Sequence, residues 1–128
     1  MGIPRPVWGG TDVAELTLPW PPSVNHYWRS FKGRAILSKE GRDYRKRIVL
    51  AVKALGLEPF PPSARVAVTF SAFPPDKRRR DLDNLLKPLL DGLEHAGLFP
   101  DDGSVDRLSI ERGSAVWPGG FVETQVET

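Results

Sequence analysis

Two aspartates, Asp81 and Asp83, are the residues whose type and spacing could do chemistry. They follow a run of basic residues, and side chains at positions i and i+2 of an extended backbone point the same way. Two close carboxylates repel each other, and Mg²⁺, which takes oxygen ligands and keeps several waters, would neutralise them. Such an ion can activate water and stabilise charge on a phosphoryl oxygen. The pair is therefore a candidate metal site; the alternative is that one aspartate caps the next helix.

Polar residues continue this pattern beyond the aspartates. If Asp83 begins a helix, Lys87 and Asp91 follow it at i+4 and i+8 on one face, opposite a row of leucines. A lysine there could add positive charge at a transition state, or could form an ordinary surface salt bridge. We expect Asp91 to lie behind the reactive groups or to pair with Lys87. We expect Asn84 to orient a carboxylate or to be an ordinary residue of the first turn.

A second acidic element is the turn that contains Asp101 and Asp102. The sequence Pro-Asp-Asp-Gly at residues 100–103 is typical of a turn. The functional interpretation is that Asp102 returns beside Asp81 and Asp83 as a third carboxylate after the helix reverses the chain. Both interpretations stay open, because spacing along the chain does not establish such a return.

Charge is unevenly distributed along the chain. Eighteen lysines and arginines against sixteen aspartates and glutamates give a net charge of only +2. Residues 29–53 contain nine basic and two acidic residues, whereas residues 76–106 contain five basic and eight acidic ones. The two segments could attract each other as solvated surfaces, or could form a polyanion-binding face beside a metal site. The candidate contacts to a nucleic-acid backbone are Arg29, Lys32, Arg34, Arg45, Lys46, Arg78, Arg79 and Arg80.

Three aromatic residues, Tyr27, Trp28 and Phe31, are interleaved with the first of these basic residues. Aromatic side chains in a basic setting can stack on unpaired bases. They can equally anchor a loop by packing on the core. The residue types alone do not decide between the two roles.

The composition excludes several classes of protein. With 128 residues the chain has the length of one domain, and without cysteine it has no disulfide framework, cysteine-ligated zinc site or thiol nucleophile. No apolar run approaches the roughly 20 residues that span a bilayer, and the N-terminus lacks the apolar stretch of a signal peptide. We therefore expect a cytoplasmic protein with no membrane partner. We also expect no organic cofactor.

Periodic apolar residues predict the elements that position these side chains. Alternation of apolar and polar residues is typical of strands, which are predicted at residues 13–18, 35–37, 66–73, 108–110 and 121–126. Apolar residues at helical spacing predict two main helices, one from an N-cap at Ser38 to a stop at Gly56 and one over residues 83–96. Pro88 predicts a shifted start or a slight kink in the second helix.

Together these elements predict an α+β fold, with one mixed or antiparallel sheet and two main helices in a single domain at residues 13–128. Residues 1–12 carry prolines and glycines without an apolar period, so they are predicted to be a flexible arm. Residues 23–34 are predicted to be a loop or an irregular segment. Asp81 and Asp83 then fall on the boundary between a loop and the second helix.

Three ordered segments carry a family resemblance. They read LPWPPSVNHYWR at residues 18–29, SKEGRDYR at residues 38–45 and RRRDLDNLLKPLLDGL at residues 78–93, and AGLFPDD follows at residues 96–102. In these segments the chain resembles the RusA family of Holliday junction resolvases, and the resemblance covers residues 16–106. Three motifs in order at family-like spacing are far more specific than two aspartates alone.

The resemblance implies a small homodimeric, Mg²⁺-dependent endonuclease of phage or prophage type, with Mn²⁺ as an expected substitute. It would nick two opposed strands of a four-way DNA junction in recombination and repair. By the family pattern, Asp81, Asp83 and Asp102 are the metal-binding catalytic carboxylates and Lys87 is the catalytic lysine. Two alternatives remain, a non-catalytic module that binds branched DNA and a metal-dependent phosphohydrolase that acts on other nucleic acids.

Overall fold

The computed structural model describes residues 12–128, so the predicted arm at residues 1–12 lies outside the described residues except for Asp12. The helices are α1 (Val24–Tyr27), α2 (Lys39–Ala54) and α3 (Asp83–His95). The strands are β1 (Val13–Pro19), β2 (Trp28–Phe31), β3 (Arg34–Leu37), β4 (Val66–Phe73), β5 (Val105–Arg112) and β6 (Phe121–Glu127), and one 3₁₀ turn (Asp102–Ser104) precedes β5. Over the described range, none of the helices has the length and apolar content that a bilayer crossing needs. The predicted α+β class is confirmed.

Four strands form one mixed sheet in the order β1-β6-β4-β5. Strand β6 runs antiparallel to both β1 and β4, whereas β4 and β5 are parallel. Parallel neighbours need a crossover connection, and α3 lies in the connection between β4 and β5. The loop that leaves the end of β4 therefore leads directly into α3, and it carries Asp81.

The core lies between this sheet and the two main helices. Side chains alternate between buried and more exposed positions along β1, β4 and β6, as a half-buried sheet requires. The buried side chains of α2 and α3 follow helical spacing and join the same core. Gly92 allows α2 and α3 to pack closely, because a Cβ atom at this position would collide with Cδ1 of Ile48.

Both main helices begin where the sequence predicts. The Ser38 Oγ accepts a hydrogen bond from the Gly41 backbone N–H at 3.0 Å, which confirms the predicted cap of α2. Helix α3 begins at Asp83 and runs through Pro88, which is buried inside it, so its start is not shifted. The first turn of α3 is tightened instead, because the Asn84 N–H donates to the carbonyl oxygen of Asp81, three residues back, at 3.2 Å.

The prediction of an irregular segment at residues 23–34 is wrong. The chain forms the short helix α1 and then a β2–β3 hairpin whose register places Phe31 opposite Arg34. The two turn residues, Lys32 and Gly33, have positive φ angles of 51° and 74°. Two consecutive positive φ angles are typical of the tight turns that match the twist of the flanking strands. Lys-Gly signals this turn less strongly than Asn-Gly does, and the pattern did not reveal it.

Candidate active site

The loop between β4 and α3 is folded around Asp76. Its carboxylate pairs with the Arg80 guanidinium at 2.8 Å and accepts a hydrogen bond from the Arg78 backbone N–H at 2.9 Å. Arg80 and then Arg78 hold the pKa of Asp76 far below its ordinary value. One acidic residue at the start of the basic run therefore organises the whole loop.

Arg80 supports this loop from inside. Its guanidinium lies 5.7 Å from the centroid of the Trp20 ring, and it also donates to the backbone carbonyl oxygens of Asp76 and Arg78. Arg112, at the end of β5, donates to the carbonyl oxygen of Arg80 at 2.7 Å. The Arg80 side chain is only 20% exposed. The contacts of Arg80 show that it stabilises the loop. Its predicted contact with DNA stays a prediction.

Arg78 and Arg79 lie on the outside of the loop. The Arg78 side chain is 80% exposed, even though it pairs with Asp76 at 3.3 Å. Arg79 is exposed, and within residues 12–128 it makes no hydrogen bond or ion pair. These two arginines are therefore accessible to a phosphate backbone, as predicted contacts must be.

Asp81 and Asp83 are both exposed, and their carboxylates have no hydrogen-bond or ion-pair partner among the described residues. Leu82 occupies the N-cap position of α3, and no side chain caps this helix. The interpretation of either aspartate as a helix cap is therefore wrong. Lys87, one turn beyond Asp83, is also exposed and forms no salt bridge with it in that same stretch of chain. Two carboxylates left without partners at a loop–helix boundary are suited to an external cation.

An open cleft of about 570 Å³ lies beside Asp81. Asp81 and Asn84 line one part of it, and the other lining residues include Trp20, Arg78 and Arg79. The cleft therefore places a carboxylate next to basic side chains. The N-terminus of α3, which starts here, adds the partial positive charge of the helix dipole. This arrangement suits a phosphate group held together with a cation.

Asp91, in the middle of α3, is fully engaged by two other elements. Arg45 on α2 binds it with two hydrogen bonds, Nε to Oδ2 at 2.7 Å and Nη2 to Oδ1 at 3.0 Å, and the Tyr27 hydroxyl also donates to it. Burial works against the charged form, but these bonds hold the pKa of Asp91 below its ordinary value. Burial and the bond to Asp91 raise the pKa of Tyr27.

The expected pairing of Asp91 with Lys87 is thus replaced by pairing with Arg45. Lys87 contributes only a favourable charge to Asp91. Arg45, predicted to contact DNA, is 26% exposed and directs its guanidinium at Asp91. The ion pair joins α2 to α3, so the DNA contact of Arg45 stays a prediction, whereas its contact with α3 is a feature of the fold.

Asp102 lies beside Glu94, near the C-terminal end of α3. Burial raises the pKa of Glu94, and the close Asp102 carboxylate raises it further. Glu94 is eleven residues beyond Asp83, which is about 16 Å along the axis of α3. Glu94 is not among the predicted site residues, although its position three residues after Asp91 places both on neighbouring parts of one helix face.

The structure therefore does not assemble the three predicted carboxylates in one place. No three His, Asp or Glu side chains of residues 12–128 come together in a group that could hold a metal ion. The donor chemistry of Asp81 and Asp83 nevertheless fits Mg²⁺, which proteins usually hold through one or two carboxylates, with waters and substrate phosphates completing the shell. Asp102 stays a predicted ligand.

The remaining residues that are predicted to contact DNA lie on the β2–β3 hairpin and on α2. Arg29, Lys32 and Arg34 are exposed on the β2–β3 hairpin, and Lys46 is exposed on α2. The aromatic residues of this region have separate roles. Tyr27 is fully buried and Trp28 packs against the core, whereas Phe31 is 48% exposed.

The segment SKEGRDYR acts in folding. Ser38 caps α2, and a Cβ atom at Gly41 would lie 2.6 Å from the carbonyl oxygen of Tyr27. The Tyr44 hydroxyl donates to the carbonyl oxygen of Pro19 at 2.7 Å, and Arg45 binds Asp91. This motif therefore connects the first motif of the chain to α3.

Comparison with known proteins agrees with this architecture. The family model described as endodeoxyribonuclease RusA matches residues 19–126. The chain is 44% identical over 106 residues to the crossover junction endodeoxyribonuclease of Enterobacteria phage HK97, covering 83% of this chain and 87% of that protein. It is 42% identical over 115 residues to the corresponding proteins of Enterobacteria phage 82 and Shigella sonnei, covering 90% of this chain and 94% of each. The chain belongs to the RusA family of endodeoxyribonucleases.

Proposed function

We propose that this protein is a Mg²⁺-dependent endonuclease that resolves four-way DNA junctions by paired nicks in recombination and repair. The observation that carries the proposal is the pair of carboxylates of Asp81 and Asp83, which are exposed beside a basic loop and have no partner among the described residues. The names of the phage and bacterial relatives support the choice of substrate. Their origins support a phage- or prophage-encoded protein that acts on DNA in the bacterial cytoplasm.

Asp81 and Asp83 would hold the ion, and the family pattern adds Asp102 as a third ligand. When bound, Mg²⁺ would supply an activated water and offset negative charge on the scissile phosphate, with Mn²⁺ as the expected substitute. The boundary between loop and helix determines where the two carboxylates stand, because Asp81 ends the loop and Asp83 is the first residue of α3. Their accessibility leaves room for the DNA phosphate to approach the same ion.

Lys87 is the proposed catalytic lysine. It lies on α3 one turn beyond Asp83, and it is exposed. Its ammonium group would offset charge on the phosphate oxygens during hydrolysis. Arg78 and Arg79 would bind neighbouring phosphates, which provides affinity and register without reading the base sequence.

We further propose that the protein acts as a homodimer, because a junction offers two equivalent cleavage positions and a two-fold dimer supplies two matching sites. Strand β5 is an edge of the sheet, and Leu108 on it is 40% exposed although its sheet neighbour Val68 is fully buried. The exposed Leu108 on this edge strand is the candidate contact between the two copies. Sedimentation equilibrium should show a dimer for the wild type and a monomer for Leu108→Glu; a wild-type monomer would contradict the dimer.

The proposal is tested by cleavage of a mobile four-way junction with Mg²⁺, with Mn²⁺ and with EDTA, using linear duplex as the substrate control. Asp81→Asn is compared with Asp43→Asn, which alters an aspartate that is also exposed but lies on α2 and pairs with Lys39. We expect paired nicks that require the metal, persist in Asp43→Asn and vanish in Asp81→Asn while junction binding survives.

Other outcomes favour the alternatives. Tight junction binding without cleavage under any metal would indicate a non-catalytic DNA-binding module. Cleavage of other nucleic acids without junction preference would indicate a more general metal-dependent phosphohydrolase. Asp102→Asn, assayed beside Asp81→Asn over a range of Mg²⁺ concentrations, tests the third ligand; an unchanged requirement for Mg²⁺ would remove Asp102 from the ligand set.

A further inference from the structure

We propose that Phe31, near the tip of the β2–β3 hairpin, stacks on a base that is exposed at the branch point of the DNA, and that this contact helps the protein to prefer junctions over duplex. The inference rests on the proposed function and adds to it a recognition residue outside the carboxylate site. Its basis is the position, exposure and charge environment of one aromatic ring.

The hairpin is anchored at its base, and the residues of its tip are exposed. At the base, the Ser38 N–H donates to the carbonyl oxygen of Tyr27 at 2.9 Å, and the Tyr27 hydroxyl donates to Asp91 on α3. Trp28 and Leu37, which pair across the first position of the hairpin, pack against the core. Strands of four residues carry the tip about 10 to 13 Å from this base.

Phe31 is an apolar ring placed where it has little to pack against within the described chain. It directly precedes the two turn residues and is 48% exposed, whereas Tyr27 is fully buried. The tight turn at Lys32 and Gly33 fixes its position, because both residues have the positive φ angles of a two-residue hairpin. A large apolar side chain that is half exposed beside a tight turn is suited to contact with a partner.

The surroundings of the ring identify the chemistry of that partner. Arg29 lies 5.5 Å and Lys32 lies 5.4 Å from the ring centroid, and Arg34 is opposite Phe31 in the hairpin register. Residues 28–37 contain no acidic side chain. A polyanion with exposed aromatic faces matches this combination, because cations bind its phosphates while the ring stacks on a base.

Unstacked bases are available at a branch point and not within an intact duplex. In a duplex each base already stacks on its neighbours, and opening it costs free energy before an aromatic side chain can replace that contact. At a four-way junction the stacks are interrupted where the strands exchange. Stacking by Phe31 should therefore favour junctions, whereas the contacts of Arg29 and Lys32 with phosphate should favour both forms of DNA.

The test measures binding to a fixed junction and to linear duplex in EDTA, so that cleavage does not enter. The variants are Phe31→Ala and Phe31→Trp, and the control is Leu50→Ala, which removes a 65% exposed apolar side chain on α2. We expect Phe31→Ala to bind the junction about tenfold more weakly with little change for duplex, and Phe31→Trp and Leu50→Ala to bind both like the wild type. The fluorescence of 2-aminopurine at the branch point should change on binding of wild type and Phe31→Trp only, and that of 2-aminopurine in an arm should not.

The outcomes separate this inference from the function on which it rests. A wild type that prefers junctions, together with a Phe31→Ala variant that keeps the same preference and the same fluorescence change, would overturn the stacking role and leave the proposed function intact. Equal loss of junction and duplex binding in Phe31→Ala would also overturn it, because the effect would not depend on exposed bases. A wild type without junction preference would remove the proposed function and this inference together.

Discussion

Helix α3 carries aspartates in two opposite situations. Asp91, in its middle, receives two hydrogen bonds from Arg45 and one from Tyr27, and it connects α3 to α2 and to the base of the hairpin. Asp83, at its start, and Asp81, just before it, are exposed, and their carboxylates have no partner within residues 12–128. The difference teaches that similar carboxylates in one region differ in whether the protein itself satisfies them, and only the unsatisfied pair is available for the proposed metal site.

The largest expected effect is the loss of activity when Asp83, at the N-terminal end of α3, is replaced. Asp83→Asn should lower junction cleavage at least about a hundredfold, because it removes a charge proposed to hold the metal. The free energy of unfolding should stay within about 0.5 kcal/mol of the wild type, because the carboxylate has no partner to lose among the described residues. Cleavage rates and urea unfolding measure the two quantities. A marked loss of stability would place Asp83 with the structural residues.

The next largest expected effect is the loss of stability when Asp91, which pairs with Arg45, is replaced. Asp91→Ala should lower the free energy of unfolding by about 2 kcal/mol, because it leaves the Arg45 guanidinium without its carboxylate. The value is below that of a fully buried pair because the two side chains are 26% and 20% exposed. Asp43→Asn, from a pair that is mostly exposed, should cost less than about 0.5 kcal/mol in the same urea titration. Similar losses of unfolding free energy in Asp91→Ala and Asp43→Asn would mean that the Asp91 ion pair stabilises the fold no more than an exposed pair does.

A smaller effect is the pH dependence of the Asp91 contribution. The pKa of Asp91 is lower in the folded protein than its ordinary value of 3.8. Its charged form is therefore stabilised by folding, so the contribution is present above that value and is lost as the pH falls through the folded pKa. The difference in unfolding temperature between wild type and Asp91→Asn should be largest at neutral pH and shrink below about pH 4. A difference that does not vary with pH would contradict this assignment.

The smallest effect distinguishes two buried tyrosines. Tyr27→Phe and Tyr44→Phe each remove one hydrogen bond and should each lower the free energy of unfolding by about 1 kcal/mol. Only Tyr27 binds Asp91, whereas Tyr44 donates to the Pro19 carbonyl oxygen. The acid limb of the stability curve should therefore shift to higher pH in Tyr27→Phe alone. A shift of equal size in both variants would mean that the hydroxyl of Tyr27 does not stabilise the Asp91 carboxylate.

The local pattern of residues was sufficient to predict most of the secondary structure and the position of Asp81 and Asp83 at the start of α3. Alternating apolar residues identified the strands of the main sheet, and Ser38 with its helical spacing identified the start of α2. Asp81 and Asp83 followed from their spacing at a helix start. These features depend on residues within a few positions of one another, so periodicity and capping are sufficient to predict them.

Only the tertiary structure decided which carboxylates have partners. Arg45 reaches Asp91 across 46 residues of chain and Tyr27 reaches it across 64, and neither pairing has a local signal. The same holds for Asp102, which lies beside Glu94, and for Arg80, which stacks on Trp20. Such contacts depend on how α2 packs against α3 and on where the connection from β4 through α3 to β5 places its residues. The sequence identified the charged residues, and tertiary packing decided which of them are engaged by other parts of the protein.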